Sequence, residues 1–549
     1  MTMKRYIVIP AAAMAACLVS CSRVMDLTPP QEEPMDTGRI EFSLYETGSY
    51  DYYLDNPSYD YSILIGKNYA EQAATARFIV RDAADFGDEY TLLPEGNWSL
   101  SSEAVEFKET DTVHEVELSF TDLTSLDPSR KYVLGLELSS DEIAVSSDRK
   151  SLTFYIYQEQ GGESNPIIIT TPDDLAGIEG RLKAGQTTYF RLGADINMAG
   201  VAWTPVNTTQ QKQIDFDGCG YTISNLSMTT AVNGNLGFFS FLRGRFANVN
   251  FENVSVTGDN ITRAGTVAGQ AGEDAYPAVI ENVTVTGTID AGSTTNQHTG
   301  GICSTMEGNS SRISRCSVDA DIKAYWSAAG ICGYLAVGAK VSECRFSGNI
   351  TTGSRAGGIV GLMKFGTVEN CHSSGRLDSG ETTSITGNPG PNGGIVAYTT
   401  PPADHNKPAL ISCCYSECYQ TTRNQVGGIL GYTGENVVGL TSIEHCIAWN
   451  DFLKSLSAPK SGRISGRFMV GTAVGCWANP NMKWEISGNT NIGIDEGDIK
   501  TPTTSNAGQS KGYNGTAATG TLIETARKVF DPKIWNMNGE RPVLKWEVE

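Results

Sequence analysis

Positive charge, histidine and long apolar runs are all scarce in this chain, and each scarcity removes a class of function. Charged residues make up 19% of the 549 positions, and 41 Lys and Arg face 62 Asp and Glu, for a net charge of −21. Phosphate backbones and anionic membrane surfaces are met by basic patches, so nucleic acid is not an expected partner. After the N-terminus no run of 18 apolar residues occurs, which excludes an ordinary membrane-spanning helix. Five histidines are present (His114, His298, His372, His405 and His445), no two of them at metal-ligand spacing, and they read as solvated residues. There is no His-Glu-x-x-His motif, and no Cys-x-x-Cys pair matched by a second one, so neither a zinc peptidase nor a zinc-knuckle reading has support. No metal and no cofactor is expected.

Glycine, by contrast, is abundant, at 59 residues against about 7% in ordinary proteins. A charge-poor, Gly-rich chain with scattered Ser, Thr and Asn reads as all-β. The N-terminus carries a basic Lys4-Arg5, an apolar stretch from Tyr6 to Ala16, and then Leu18-Val19-Ser20-Cys21. Secretory leaders have this layout. The Leu-x-small-Cys ending resembles the bacterial lipoprotein signal, which implies a leader over 1–20 and acylation of Cys21. Residues 21–37 then form a Pro-containing polar leash. Ser22 lacks the Asp that marks inner-membrane retention in some bacteria, so a lipid anchor in the outer membrane, on the cell surface, is the expected location.

Residues 38–160 alternate apolar and polar over short stretches such as Ile40–Leu44, Tyr61–Ile65, Ala76–Val80 and Val116–Phe120. Period-two alternation broken by turn residues predicts an antiparallel β-sandwich. The segments Tyr90–Pro94, Trp98–Leu100 and Lys131–Leu134 resemble an Ig-like N-terminal domain of unknown function found in surface lipoproteins of gut bacteria, which implies a spacer. Next, Thr171-Pro172-Asp173-Asp174 is a helix start, with an N-cap hydroxyl, Pro at the first turn and acids at the positive end of the dipole. It predicts a short capping helix to about Ala184.

From residue 230 the chain repeats. Gly300-Gly301-Ile302-Cys303, Ala329-Gly330-Ile331-Cys332, Gly357-Gly358-Ile359-Val360, Gly393-Gly394-Ile395-Val396 and Gly427-Gly428-Ile429-Leu430 share one frame. Cys316, Cys344, Cys371, Cys414 and Cys446 share a second, in which Val254 and Val283 are expected to stand in other copies. Strand-sized pieces that cannot bury an apolar side alone do so by stacking, at ~4.8 Å per rung. About eight to ten coils then make a rod of roughly 40–50 Å. The prediction for 167–549 is a right-handed parallel β-helix with an N-terminal capping helix and a C-terminal closing segment.

These units resemble the GLUG-type repeats of bacterial surface proteins, also found beside some immunoglobulin-cleaving proteases. Trp203–Val206, Phe216–Ile223 and the closing Ile534-Trp535 and Pro542–Trp546 belong to the resemblance. It implies a β-solenoid in an adhesive or structural protein, without the protease domain.

With Cys17 in the leader and Cys21 acylated, 11 of the 13 cysteines remain, an odd number. Because Val and Cys exchange in the repeat frames, they read as buried thiols packed inside the solenoid. A disulfide from Cys418 and a zinc site are the other readings. Asp290, Lys323, Thr351 and Asp378 are expected to point outward on successive coils, as isolated charges and not as a catalytic carboxylate cluster. Asp495-Glu496 with Asp498 reads as a solvated loop.

The candidate binding residues precede the Gly-Gly steps. Arg263, His298, Arg355 and Gln425 each lie two residues before a glycine, and Trp326 lies three before Ala329. Stacked in frame they line one edge of the rod. Aromatic faces stack on sugar rings, and Arg forks bond hydroxyls or carboxylates. Polar turn residues that merely face water are the plainer alternative. The functional expectation is a monomeric lipid-anchored adhesin, or a protein binding a glycan, a host protein or a bacterial surface protein, without catalysis. A polysaccharide lyase or glycoside hydrolase on the solenoid face, and an architectural stalk or assembly subunit, are the rivals.

Overall fold

The computed structural model describes residues 38–43, 48–54, 56–68, 71–258, 261–292, 296–379, 390–402, 407–433, 440–456, 461–487, 497–500 and 512–548. The leader, Cys21, the leash, His405 and Asp495-Glu496 lie outside them. No helix of the described residues is long and apolar enough to cross a membrane. The chain divides into two compact units, Met1–Gln160 and Gly161–Glu549.

The first unit is a β-sandwich. One sheet runs Ala144–Val145, Arg39–Phe42, Tyr59–Asn68, Val113–Phe120, Trp98–Leu100; the other runs Ser49–Tyr53, Ser151–Tyr157, Lys131–Ser139, Ala74–Val80, Ala104–Phe107. Alternation places Ile63, Ile65, Val116, Leu118, Leu134, Leu136, Phe154 and Ile156 in one core between them. Pairing is not wholly antiparallel as expected. Arg39–Phe42 with Ala144–Val145, Ser49–Tyr53 with Ser151–Tyr157, and Tyr90–Leu92 with the first residues of Lys131–Ser139 run parallel. For the first two pairs the reason is connectivity. Arg39–Phe42 and Ser49–Tyr53 join different sheets, so they cannot form a hairpin with each other, and each pairs with a strand from the far end of the unit.

The second unit is a parallel β-solenoid. It opens with Ile167–Ile169, which pairs in parallel with Gln186–Leu192. Between them, Thr171 caps helix α1 (Pro172–Ala176) with a reciprocal Thr171–Asp174 capping box. The expected single helix is broken at Gly177 and resumes as α2 (Ile178–Arg181). Three sheets then wind around one core: one of 25 strands, one of nine and one of seven among the described residues. In the nine-stranded sheet Val206, Phe239, Ala268, Cys303, Cys332, Val360, Val396, Leu430 and Ser465 stack in one register. Eight steps of ~4.8 Å make a stack of roughly 40 Å. Opposite this sheet, Phe216, Phe246, Ile280, Ile313, Val341, Val368, Ile411 and Ile443 form a second buried column.

Corners in the large sheet are made by left-handed residues: Asn248, Asn282, Arg315, Glu343, Asn370, Cys413, His445 and Gly475 all have positive φ. The residue after each points inward, giving Val249, Val283, Cys316, Cys344, Cys371, Cys414, Cys446 and Cys476, all buried. Two corrections follow. The valine of the cysteine frame is Val249, which pairs with Val283, and not Val254, which pairs with Gly287. Cys476 extends the column by one further coil. The thiols donate to the carbonyl two residues back, as from Cys344 to Ser342 at 3.2 Å and from Cys414 to Ser412 at 3.1 Å. All 11 described cysteines are free, Cys418 included.

The outward series also needs correcting. Asp290, Lys323, Thr351 and Asp378 do share a register, and Lys323 pairs with Asp290 at 3.1 Å, but Asp378 is buried.

The C-terminal segment does not simply end the stack. Helix α3 (Leu522–Val529) and the hairpin of Trp535–Asn536 with Val543–Leu544 lie back along the outer face of the large sheet, burying Tyr415, Ile447 and Trp535. This covers most of His372, stacked on Tyr415 at 4.0 Å and 3.6 Å from Glu417, so His372 is not a freely solvated residue.

Candidate functional site

The edge before the Gly-Gly steps is a true ladder. Arg263 pairs with His298, His298 with Ser327, and Ser327 with Arg355, in three-residue strands whose middle residue (Ala264, Thr299, Ala328, Ala356) is buried. Alternation therefore turns the flanking Arg and His outward. Gln425 lies on the same ladder, one position before the Asn392–Val426 pair. Trp326 is one residue out of frame, since Ser327 occupies the ladder position.

A second outward ladder runs beside the first. Thr305, Tyr334, Leu362, Tyr398, Tyr432 and Arg467 stack in register in the nine-stranded sheet. Glycine brings the two ladders together. A Cβ on Gly333 would lie 2.8 Å from the Thr299 nitrogen, and one on Gly431 would lie 2.7 Å from the Asn392 carbonyl oxygen. Without side chains there, each strand of the nine-stranded sheet packs against the preceding coil of the seven-stranded sheet. The outward residues then meet across adjacent coils.

His298 stacks on Tyr334, with centroids 5.0 Å apart and planes 16° apart. The Arg355 guanidinium sits 4.8 Å from the Tyr398 ring centroid and 5.4 Å from that of Trp326. Arg467 lies 5.1 Å from the Tyr432 ring and donates to its hydroxyl at 3.1 Å. The structure thus brings Arg263, His298, Trp326 and Arg355 together in one patch. Gln425 lies farther along the same ladder.

The two arginines of the patch make no ion pair: among the described residues no carboxylate comes within ion-pair distance of Arg263 or Arg355. Arg263 makes a 3.4 Å hydrogen bond to Asn235, and its Nε has no partner among the described residues. Burial lowers the pKa of Arg355. The His298 imidazole is pushed down to about 4, by burial first and then by the Arg263 and Arg355 charges, so it is neutral at physiological pH and is not solvated. Its Nδ1 has no partner among the described residues.

Counting back from the Gly-Gly steps does not reach the tyrosines of the second ladder. Their signal is the residue one step beyond the small residue of each repeat: Gly333-Tyr334, Gly361-Leu362, Ala397-Tyr398 and Gly431-Tyr432.

No family model matches the chain. Over 170 residues it is 34% identical to Halomucin of Haloquadratum walsbyi, a match that takes in 28% of this chain and 2% of that protein. The chain therefore spans a very small part of that relative. Two crystal structures from Bacteroides ovatus are similar to parts of the chain. One, named a putative immunoglobulin A1 protease, is 21% identical with a TM-score of 0.39, over 70% of this chain and 94% of that one. The other, named a putative carbohydrate binding protein, is 15% identical with a TM-score of 0.20, over 22% of this chain and 38% of that one.

Proposed function

We propose that this chain is a non-catalytic surface protein that binds a glycan on the patch formed by Arg263, His298, Trp326, Tyr334, Arg355 and Tyr398. The observation that carries this reading is the setting of Arg355. Its guanidinium is half-buried beside two aromatic rings, with no carboxylate partner among the described residues. A partly desolvated cation ordinarily has a counter-charge supplied by the protein. Here only ring faces are offered, each worth about 0.5–2 kcal/mol. Flat rings and an unused donor fork, side by side, suit a sugar: the ring faces take its apolar side, and the fork takes its polar groups. In this proposal the leader is removed and acylated Cys21 holds the protein at the outer membrane, where the leash lets the solenoid reach its ligand.

A glycan array probed with the full chain tests the reading, with product release assayed on every glycan bound. Binding without turnover supports it. Turnover of a bound glycan, or an array with no bound glycan, contradicts it.

A further inference from the structure

We infer that the glycan is acidic, a uronate-containing polysaccharide whose carboxylate is taken by Arg355, with the chain laid along the coil-stacking direction. This rests on the glycan-binding reading and narrows it.

The first argument is a contrast within the solenoid. Elsewhere several of its partly buried cations are paired: Arg243 with Glu273 at 2.6 Å, Arg245 with Asp215 at 3.1 Å and with Glu281 at 2.9 Å, and Lys340 with Glu369 at 2.7 Å. In a protein of net charge −21, carboxylates are plentiful. On this patch two arginines, Arg355 and Arg263, lie within three coils of each other without an ion pair among the described residues. Glu307 contributes an attraction to Arg263 from beyond ion-pair distance; it is half-buried, and burial raises its pKa.

The second argument is the chemistry of the missing counter-charge. A neutral sugar would cover Arg355 and leave its charge desolvated. A carboxylate supplies both the opposite charge and the two in-plane acceptors that match a guanidinium fork. The rings of Trp326 and Tyr398 then stack on the sugar that carries it.

The third argument is direction. Arg263 and Arg355 are three coils apart on one ladder, about 14 Å at ~4.8 Å per coil. His298 lies between them, and Tyr398, Tyr432 and Arg467 continue along the adjacent ladder. Charged and stacking groups therefore recur along the rod, as sites for successive units of a linear polymer. The neutral imidazole of His298 reports on this field, because an anion bound between the two guanidiniums opposes the repulsion that, after burial, lowers its pKa.

The test measures binding of the full chain to hexamers of galacturonate, of alginate and of hyaluronan, and to the same hexamers after methyl esterification. At least one acidic hexamer is expected to bind, with its ester at least about tenfold weaker, as fits loss of a charge-assisted bidentate bond. Arg355→Gln is expected to weaken the acidic hexamer by a similar factor and the ester by much less, so that the preference for acid over ester is lost. The His298 pKa, followed by NMR in the wild-type chain, is expected to rise when the acidic hexamer binds. That measurement decides the matter even if the Arg355 variant fails to fold. An ester that binds as tightly as the acid, or an acid that binds without moving His298, overturns the carboxylate assignment and leaves the glycan reading standing. If only neutral glycans bind, the result is the same. If no glycan of either kind binds, both fall.

Discussion

The Trp546 indole N–H donates to the backbone carbonyl of Glu343 at 3.0 Å, across 203 positions of sequence. Trp535 likewise reaches Asn370 at 3.3 Å, and the Tyr415 hydroxyl donates to Pro542 at 2.6 Å. The closing segment thus ties together several coils that contact one another only through their neighbours. Trp535 is 1% exposed and packs on Phe530 with ring centroids 4.8 Å apart. Trp535→Ala is expected to cost about 3–5 kcal/mol. Urea unfolding followed by circular dichroism checks this, and a midpoint equal to that of the wild type would show that the segment does not brace the stack.

The inward glycine of each repeat leaves no room for a methyl group. A Cβ on Gly358 would stand 2.0 Å from the Gly394 carbonyl oxygen and 2.6 Å from Ser373 Cβ. Gly358→Ala is expected to destabilise by more than about 4 kcal/mol, since backbone blocks the methyl and cannot rotate away. Gly180, in α2, has open space around its would-be Cβ, and Gly180→Ala is expected to stabilise by about 0.5–1 kcal/mol. Thermal melts of the two variants should move in opposite directions.

The cysteine column predicts both tolerance and silence. Cys344→Val is expected to change stability by less than about 1.5 kcal/mol, because Val249 and Val283 fill the same corner in other coils. Cys344→Asp places a charge in the dry interior and is expected to prevent folding. Burial pushes the thiols of Cys303, Cys316, Cys344, Cys414 and Cys476 well above their ordinary pKa. Iodoacetamide on the native protein should therefore modify exposed Cys219 first and leave these five thiols untouched until unfolding. Peptide mass spectrometry distinguishes the two.

His298 makes stability depend on pH with a definite sign. Its pKa is about 4 in the folded chain against 6.5 when unfolded, so between those values the unfolded state binds the proton and the folded state does not. Stability falls as pH drops from about 6.5 toward 4, by at most ~3 kcal/mol from this group. His298→Gln should flatten that part of the profile, and denaturant midpoints at pH 7 and pH 4.5 measure it.

The repeats are legible in the sequence because stacking demands the same small or apolar residue at the same place in every coil. The frame is misread where local sequence is degenerate. Asn248-Val249 and Asn253-Val254 are both Asn-Val pairs with a left-handed Asn, and only pairing with Val283 separates them. The patch is half legible. Arg263, His298 and Arg355 follow from counting back from glycine, whereas Tyr334 and Tyr398 meet them from the next coil, a relationship set by backbone approach at glycine. Burial of His372 is hidden because the segment that covers it lies far along the chain, with Trp535 bonding to neighbouring Asn370 across 165 positions.

Backbone amide exchange, with and without the tightest-binding glycan, tests most directly whether this patch is where the protein meets its ligand. Slower exchange confined to Arg263–Gly265, His298–Gly300, Ser327–Ala329, Cys332–Leu335, Arg355–Gly357 and Val396–Thr399 is the predicted footprint. Protection that spares these strands and falls on the outer face of the large sheet, or on the N-terminal sandwich, would contradict it.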